Sequence, residues 1–326
     1  MPRWSRGFPC NVSQRKLLFG EREPTMAKTA FLFPGQGAQH VGMGRELHDS
    51  LPAARQLYQE AGELLGCDLA KICFEGPAEK LDATEFSQPA LFVTSLAAVE
   101  QLRADSPEGV EACSLAAGLS LGEYTAVTFA GALDFATGLQ LVAERGRAMQ
   151  AAADQTRGGM VSVLGLDIAQ VEDLCDQARE GDVLQVANLL CPGNTVVSGD
   201  AAACSRLSGL AEAAGAMRVI PLAVAGAFHT VLMAPAQARL RKALDSVEFR
   251  RPRVPVVSNV DARAHEEPED IRRLLLEQLV SPVRWEDSMR TMLGEHEVEE
   301  FYELGAGRVL KGLLKRIDRR AACKNV

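Results

Sequence analysis

Several familiar signatures are missing from this chain of 326 residues. No apolar stretch approaches the roughly 20 residues that a membrane-spanning helix needs, so the sequence gives no sign of a membrane protein. The net charge is −8 and the body of the chain has no long basic run, which argues against nucleic acid as a partner. Neither Gly-x-Gly-x-x-Gly nor Gly-Lys-Ser/Thr occurs, which argues against a phosphate-binding loop.

The cysteines also lack a pattern. They include no Cys-x-x-Cys pair and no Cys/His cluster at zinc spacing, so neither a disulfide framework nor a metal site is expected. We predict reduced, mostly buried thiols of an intracellular compartment. The eight positions are Cys10, Cys67, Cys73, Cys113, Cys175, Cys191, Cys204 and Cys323.

The first 25 residues differ in composition from the rest. Arg3, Arg6, Arg15 and Lys16 all precede the first acid, Glu21. A basic, acid-poor and only mildly apolar stretch favours the remnant of an organelle transit peptide over a secretory signal. We therefore expect residues 1–27 to be a leader without a fixed fold, and a disordered or expression-derived tail stays the alternative.

The most informative motif is residues 118–122, which read Gly-Leu-Ser-Leu-Gly directly after the apolar stretch 113–117. This is the pattern of a nucleophile elbow, in which a serine with strained backbone angles sits between a strand and a helix. Its hydroxyl is presented at the helix N-terminus, where free N–H groups stabilise negative charge. On the pentapeptide alone, a chance match to the motif stays the alternative.

The order of predicted elements gives the fold class. Residues 158–221 read β-α-β-β-α-β, the ferredoxin-like arrangement, and form a compact insert. Before and after it, strands alternate with helices, which predicts a mainly parallel sheet covered on both faces. The sequence therefore predicts an α/β protein with an inserted ferredoxin-like subdomain.

A serine is a weak nucleophile unless a base removes its proton. Of the five histidines, His40 and His48 lie near the first loop, and His265 and His296 lie in charged segments. His229 follows small and apolar residues and precedes a helix start, as expected at the rim of a pocket. A structural histidine stays the alternative, and no acid in a comparable loop lies between the serine and His229.

Two further features could serve the same pocket. The main-chain amide of Leu121 and one from the glycine-rich turn at residues 34–37 could form an oxyanion hole. The alternative is that residues 34–37 are an ordinary tight turn without this role. Arg145 lies in the helix after the elbow and could bind a carboxylate in a bidentate pair. Arg147 competes for that role, and a surface salt bridge is the alternative for either arginine.

Four segments together resemble the malonyl-CoA:acyl carrier protein transacylase family over residues 29–317. They are residues 33–39 (Phe-Pro-Gly-Gln-Gly-Ala-Gln), 118–124, 226–229 (Gly-Ala-Phe-His) and 303–307 (Glu-Leu-Gly-Ala-Gly). The resemblance implies a hydrolase-like α/β domain that carries a ferredoxin-like subdomain, in agreement with the predicted insert. We place the first at 28–155 and 223–320 and the second at 156–222, and we expect residues 321–326 to be a tail.

The resemblance also implies a ping-pong acyl transfer. Ser120 attacks the malonyl thioester of coenzyme A, and the malonyl-serine ester passes to the phosphopantetheine thiol of acyl carrier protein. His229 takes and returns the proton. The amides of Gln36 and Leu121 form the oxyanion hole, and Arg145 pairs with the malonyl carboxylate. No metal or other cofactor and a monomeric protein are expected.

Three more residues match family positions near the pocket. By this resemblance, a main-chain carbonyl near Gln278 orients His229, and Gln88 is a polar neighbour of the site. Phe228 stands where methylmalonyl-using members carry serine, and its ring fills the space of an α-methyl group. We therefore predict a preference for malonyl over branched donors.

Leu119 departs from the histidine that is common in bacterial members and resembles plastid-type members. Together with the basic leader it favours a plastid, with a mitochondrion or a bacterial cytoplasm as alternatives. An acidic carrier protein must dock on a local basic patch of this acidic chain, and a solvated surface is the alternative. The candidates are Lys311, Lys315, Arg316, Arg319, Arg320 and Lys324, which we assign to a last helix predicted over residues 309–320 and its end, with a second cluster at Arg250, Arg251 and Arg253.

Other functions remain open on the sequence alone. A serine esterase or thioesterase would share the serine and the histidine but need no arginine for a carboxylate. An inactive scaffold that binds carrier protein is less compatible with the intact motifs. A discrete acyltransferase for polyketide synthesis would carry much the same motifs.

Overall fold

The computed structural model describes residues 28–326, so the predicted leader at residues 1–27 lies outside the described residues. The strands are β1 (Thr29–Phe33), β2 (Cys113–Gly118), β3 (Gly158–Leu164), β4 (Leu184–Cys191), β5 (Asn194–Asp200), β6 (Arg218–Pro221), β7 (Val256–Val257), β8 (Ala264–His265), β9 (Val283–Arg284), β10 (Glu300–Glu303) and β11 (Ala322–Asn325).

The α-helices are α1 (Arg45–Ser50), α2 (Pro52–Leu65), α3 (Leu69–Glu75), α4 (Ala78–Asp82), α5 (Thr84–Asp105), α6 (Pro107–Glu111), α7 (Leu121–Phe129), α8 (Phe135–Ala153), α9 (Ile168–Arg179), α10 (Ala201–Ala213), α11 (Ala234–Asp245), α12 (Pro268–Glu277), α13 (Trp285–Gly294) and α14 (Val309–Ile317). Short 3₁₀ helices cover Val231–Met233 and Gln278–Val280.

The larger sheet has the strand order β11-β10-β1-β2-β7-β8. All its pairs are parallel except β7 with β8. Every residue of β1 is buried, and alternate residues face opposite sides: Phe31 and Phe33 join one core cluster, Ala30 and Leu32 another. Apolar packing on both faces confirms the predicted parallel α/β sheet.

The smaller sheet has the order β6-β3-β5-β4-β9, and its first four strands pair antiparallel. Helices α9 and α10 pack on it around Val161, Val163 and Leu207. The predicted β-α-β-β-α-β insert is thereby confirmed. Strand β9 adds a fifth, parallel strand that comes from the chain after the insert. The exact limits of the insert, 156 and 222, stay a prediction.

Two predicted boundaries are wrong. Residues 321–326 are not a tail, because β11 pairs in parallel with β10 at the edge of the larger sheet. Its sequence, Ala-Cys-Lys-Asn, has no β-branched or aromatic residue and carries no strand signal of its own. Helix α14 ends at Ile317, so Arg319, Arg320 and Lys324 do not belong to the last helix.

Two other findings bear on the chain as a whole. The seven cysteines of the described residues are all free, and five of them are buried, as predicted. Between residues 28 and 326, no helix is both long and apolar enough to cross a membrane.

Candidate active site

Ser120 stands at the junction of β2 and α7, as the elbow motif predicts. Its φ is 50°, in the left-handed region that non-glycine residues rarely adopt. A Cβ on Gly118 would lie 1.9 Å from the carbonyl carbon of Gly122, and one on Gly122 would lie 2.0 Å from the carbonyl oxygen of Phe33. Both glycines are therefore required by close backbone approach.

His229 contacts the serine directly. Its Nε2 lies 2.8 Å from Ser120 Oγ, and its Nδ1 lies 2.9 Å from the main-chain carbonyl oxygen of Gln278. Because a carbonyl only accepts hydrogen bonds, Nδ1 carries the proton and the Nε2 lone pair faces the hydroxyl. Burial, and then the charge of Arg145, lower the pKa of His229 to about 4. The imidazole is therefore neutral near pH 7 and able to accept a proton.

Arg145 is buried beside this pair. Its Nη2 donates to Ser120 Oγ at 3.0 Å and to Gln278 Oε1 at 2.9 Å, and its Nη1 donates to Gln88 Oε1 at 2.8 Å. It has no ion-pair partner within the described part of the chain, and its Nε has no hydrogen-bond partner there. Burial lowers its pKa. Arg147, the competing candidate, pairs with Glu144 instead.

A cavity of about 450 Å³ opens over Ser120. Gln36 and Phe228 line the cavity from the part of the chain that surrounds the larger sheet. Met160, Leu190 and Val196 line it from the smaller sheet. The cavity therefore lies between the two sheets, with the serine, the histidine and the arginine on one side. Gln88 does not line it but lies behind Arg145, where its Nε2 also contacts the sulfur of Met149 at 3.3 Å.

The two predicted oxyanion amides lie on adjoining segments. A Cβ on Gly35 would lie 2.3 Å from the carbonyl oxygen of Leu119, so the glycine-rich turn packs against the elbow. Within residues 28–326, the N–H groups of Gln36 and Leu121 donate to no other group. The N–H of Ser120, in contrast, donates to Asn259 Oδ1 at 2.7 Å. Two amides therefore remain available for a negatively charged oxygen.

Sequence reasoning missed two buried polar residues next to the elbow. Asn259 Nδ2 donates to the carbonyl of Gly118 at 2.8 Å, and the N–H of Asn259 donates to Glu123 Oε2 at 3.0 Å. Burial raises the pKa of Glu123 to about 7. Asn259 follows β7 at the carboxyl edge of the sheet, and Glu123 is an acid in an otherwise apolar helix. Both are signals that could have been read.

The two predicted basic clusters differ in their contacts. Lys315 and Arg316 are exposed on α14 without an ion pair in the described chain, whereas Arg320 pairs with Asp318 and Lys324 with Glu300. In the second cluster, Arg251 pairs with Glu266 and Glu267. Arg253 donates to the carbonyl of Phe129 and stacks on its ring.

Comparison with known proteins defines the class. A protein-family model described as an acyl transferase domain matches residues 30–315 of this chain. The matched range contains the elbow, the histidine, the buried arginine and both sheets, except for Thr29 and the edge strand β11. The chain is therefore an acyltransferase enzyme, of mixed α/β fold with the two sheets described above.

The relatives narrow the class. The malonyl CoA-acyl carrier protein transacylase of Bacillus subtilis is 44% identical over 90% of this chain and 92% of its own length. The mitochondrial malonyl-CoA-acyl carrier protein transacylase of Mus musculus is 42% identical over 92% of this chain and 81% of its own length. The chain belongs to the family of malonyl-CoA:acyl carrier protein transacylases.

Solved structures agree with this assignment. The malonyl CoA-acyl carrier protein transacylase of Coxiella burnetii superposes with a TM-score of 0.88 at 38% identity, covering 92% of this chain and 93% of that one. A malonyl-transacylase in complex with a type II PKS acyl-carrier protein gives the same TM-score and identity, covering 92% and 96%.

Proposed function

We propose that this protein transfers a malonyl group from coenzyme A to the phosphopantetheine thiol of acyl carrier protein, for fatty acid synthesis. One observation carries the proposal: the hydroxyl of Ser120 lies between His229 Nε2 and Arg145 Nη2. The oxygen that acts as nucleophile in this proposal therefore contacts both a neutral base and a cation that can bind a carboxylate. The family membership of the chain supports the same reaction.

In the first half-reaction, Ser120 Oγ attacks the thioester carbonyl while its proton passes to His229 Nε2. The N–H groups of Leu121 and Gln36 stabilise the oxyanion that forms. When the tetrahedral intermediate collapses, the carbon–sulfur bond breaks and the thiol of coenzyme A leaves with the proton from His229. The malonyl group remains on Ser120 as an ester.

In the second half-reaction, the carrier thiol gives its proton to His229 and attacks the ester, and Ser120 leaves with that proton. Arg145 binds the malonyl carboxylate throughout, as a charge-assisted pair. Because the charge of Arg145 helps to lower the pKa of His229, a bound carboxylate that neutralises this charge makes the histidine a stronger base. Substrate binding thereby prepares the base.

The site also supports a choice among acyl groups. The ring of Phe228 is 5% exposed and lines the cavity, so an α-methyl group must compete with it for space. Arg145 is buried and forms no ion pair within residues 28–326, which fits an acyl group with a free carboxylate. An esterase of neutral acyl groups would leave this cation buried without a partner of opposite charge, which is costly.

Mass spectrometry tests the proposal. The protein is incubated with malonyl-CoA and analysed intact and as peptides, and a malonyl adduct on Ser120 is expected. Holo-acyl carrier protein should discharge the adduct, and Ser120→Ala should not form it. Release of malonate to water at the same rate with and without carrier protein would instead indicate a thioesterase.

The pathway is a second question, because one structural neighbour serves a polyketide carrier protein. We propose fatty acid synthesis as the main role. Transfer rates to a fatty acid carrier protein and to a polyketide carrier protein, measured side by side, test it. A clear preference for the polyketide carrier would contradict the proposal.

Three expectations extend the proposal. We propose that the reaction needs no cofactor, that the protein is a monomer, and that it acts in a plastid, with a mitochondrion or a bacterial cytoplasm as alternatives. Activity in the presence of EDTA tests the first and light scattering the second. For the third, residues 1–27 are fused to a fluorescent protein in plant cells, where import into mitochondria would contradict the plastid.

A further inference from the structure

The side-chain amide of Gln278 lies between two charged groups. Its Oε1 accepts from Arg145 Nη2 at 2.9 Å, and its Nε2 donates to Glu123 Oε2 at 2.6 Å. A guanidinium has only donors, and Glu123 Oε2 is an acceptor because it also accepts the main-chain N–H of Asn259, so the amide can satisfy both in one orientation alone. The same Nε2 donates to the main-chain carbonyl of Ser120 at 3.0 Å and to Asn259 Oδ1 at 3.3 Å, so Glu123 provides the shortest of the contacts that hold this end of the amide away from Arg145.

The same carboxylate oxygen also contacts the residue that holds the elbow. Glu123 Oε2 also accepts the N–H of Asn259, whose side chain binds the N–H of Ser120 and the carbonyl of Gly118. Glu123 is 3% exposed and forms no ion pair within residues 28–326. Glu123 thus contacts the side-chain amide of Gln278 but only the main chain of Asn259, and the elbow is held by the Asn259 side chain, which Glu123 does not contact.

We propose that Glu123 is a positioning residue that orients Arg145 toward the carboxylate of the acyl donor by fixing the Gln278 amide. The inference rests on the proposed malonyl transfer. It assigns to Glu123 a part in the selection of carboxylate-bearing donors, although Glu123 does not line the cavity. His229 is held independently, because its partner is the main-chain carbonyl of Gln278 and not the amide.

Two substitutions separate the acceptor from other properties of Glu123. Glu123→Leu keeps a side chain of similar volume but removes the shortest of the three acceptors of Gln278 Nε2, so the amide is held less firmly and Arg145 loses part of its orientation. Glu123→Gln keeps an oxygen that can occupy the position of Oε2. If the acceptor is what matters, Gln restores what Leu removes.

Two reactions at Ser120 provide the readout. Malonylation by malonyl-CoA needs Arg145, whereas phosphonylation by a fluorophosphonate needs only the serine, its base and the oxyanion amides. We expect Glu123→Leu to lower the malonylation rate by about 10- to 100-fold, because small misplacements of a binding group have effects of this size. Phosphonylation should fall much less, and Glu123→Gln should be close to wild type in both reactions.

Glu144→Leu is the matched control, since it removes a glutamate of α8 that pairs with the surface arginines Arg147 and Arg239. It should leave both rates unchanged, and thermal unfolding confirms that each variant is folded. Equal losses in the two reactions, no loss, or a Glu123→Gln variant as slow as Glu123→Leu would overturn the inference. Wild-type protein that is phosphonylated but never malonylated would instead refute the proposed function.

Discussion

Arg145 donates a hydrogen bond to Ser120 Oγ, the atom that also faces the histidine. The hydroxyl is an uncharged acceptor, whereas a malonyl carboxylate would form a charge-assisted and therefore stronger hydrogen bond with the same Nη2. The guanidinium thus lies within reach of both Ser120 and the carboxylate that we propose it binds. This relationship makes Arg145 the first residue to test.

We expect Arg145→Ala to lower kcat/KM for malonyl-CoA by about 100-fold or more, since hydrogen bonds to charged groups contribute about 1.5–3 kcal/mol each. The effect on acetyl-CoA should be smaller, because acetyl has no carboxylate. Initial rates with both donors give the ratio. Arg147→Ala removes a neighbouring arginine of the same helix and should change neither rate, and an equal loss for both donors would contradict a carboxylate anchor.

The pH dependence of acylation follows from the pKa of His229. Protonated histidine cannot accept the serine proton, and its pKa of about 4 lies below the ordinary 6.5. The kcat/KM for malonyl-CoA should therefore stay level as the pH falls through 6.5 and decline only toward pH 4. In Arg145→Ala the decline should move to higher pH, because the nearby positive charge is gone. A wild-type decline centred near pH 6.5 would disprove the lowered pKa.

The raised pKa of Glu123 predicts that its contribution to the stability of the protein falls as the pH rises. Burial raises its pKa from 4.5 to about 7, so the folded state binds its proton more tightly than the unfolded state. Its favourable contribution is complete below pH 4.5 and is lost as the pH rises to about 7, at roughly 1.4 kcal/mol per unit of pKa difference. The free energy of unfolding of Glu123→Gln, relative to wild type, should be higher at pH 8 than at pH 5. Urea denaturation at both values measures it, and a difference that is the same at both would contradict the shift.

The close backbone contacts of the elbow glycines predict that adding a side chain at Gly118 destabilises the protein. Gly118→Ala places a Cβ within 1.9 Å of the backbone at Gly122, so β2 and α7 must separate. Strain of this kind costs about 1–3 kcal/mol or more, and the serine loses its position. Gly209→Ala is the control: it lies in helix α10 with nothing within 4 Å, and should stabilise by up to about 1 kcal/mol. Unfolding curves compare the two, and equal stability would refute the close approach.

The exposed basic residues of α14 are the candidates for carrier docking. Reversing the charge with Lys315→Glu and Arg316→Glu should raise the KM for acyl carrier protein and leave that for malonyl-CoA unchanged. Steady-state kinetics with each substrate varied in turn test this. Arg241→Glu and Lys242→Glu together make the same double charge reversal at two exposed residues of α11. A similar rise in this variant would mean that net charge matters and not this site.

Much of the fold could be predicted because its signals are local. Strand β1 is a short apolar run ended by proline and glycine, and the alternation of strands and helices in the insert needed no distant information. The split between α1 and α2 has a local signal too, since Pro52 begins α2 and cannot continue α1. Strand β11 has none, because its residues are ordered by pairing with the free edge of β10.

The site shows the same division. Ser120 and His229 stand in motifs that can be recognised from the sequence alone. Asn259 is distant from Ser120 in sequence and contacts it only because β7 lies beside β2. The hydrogen bonds of Glu123 likewise join residues more than one hundred positions apart. Such contacts are a product of the tertiary structure, and no periodicity or spacing in the chain encodes them.

Strand β9 joins the smaller sheet to the segment that holds the histidine. Val283 pairs in the smaller sheet and follows Gln278 by only five positions. The carbonyl of Gln278 lies 2.9 Å from His229 Nδ1, and the smaller sheet lines the cavity over Ser120. One short segment therefore connects a wall of the cavity to the residue that orients the histidine.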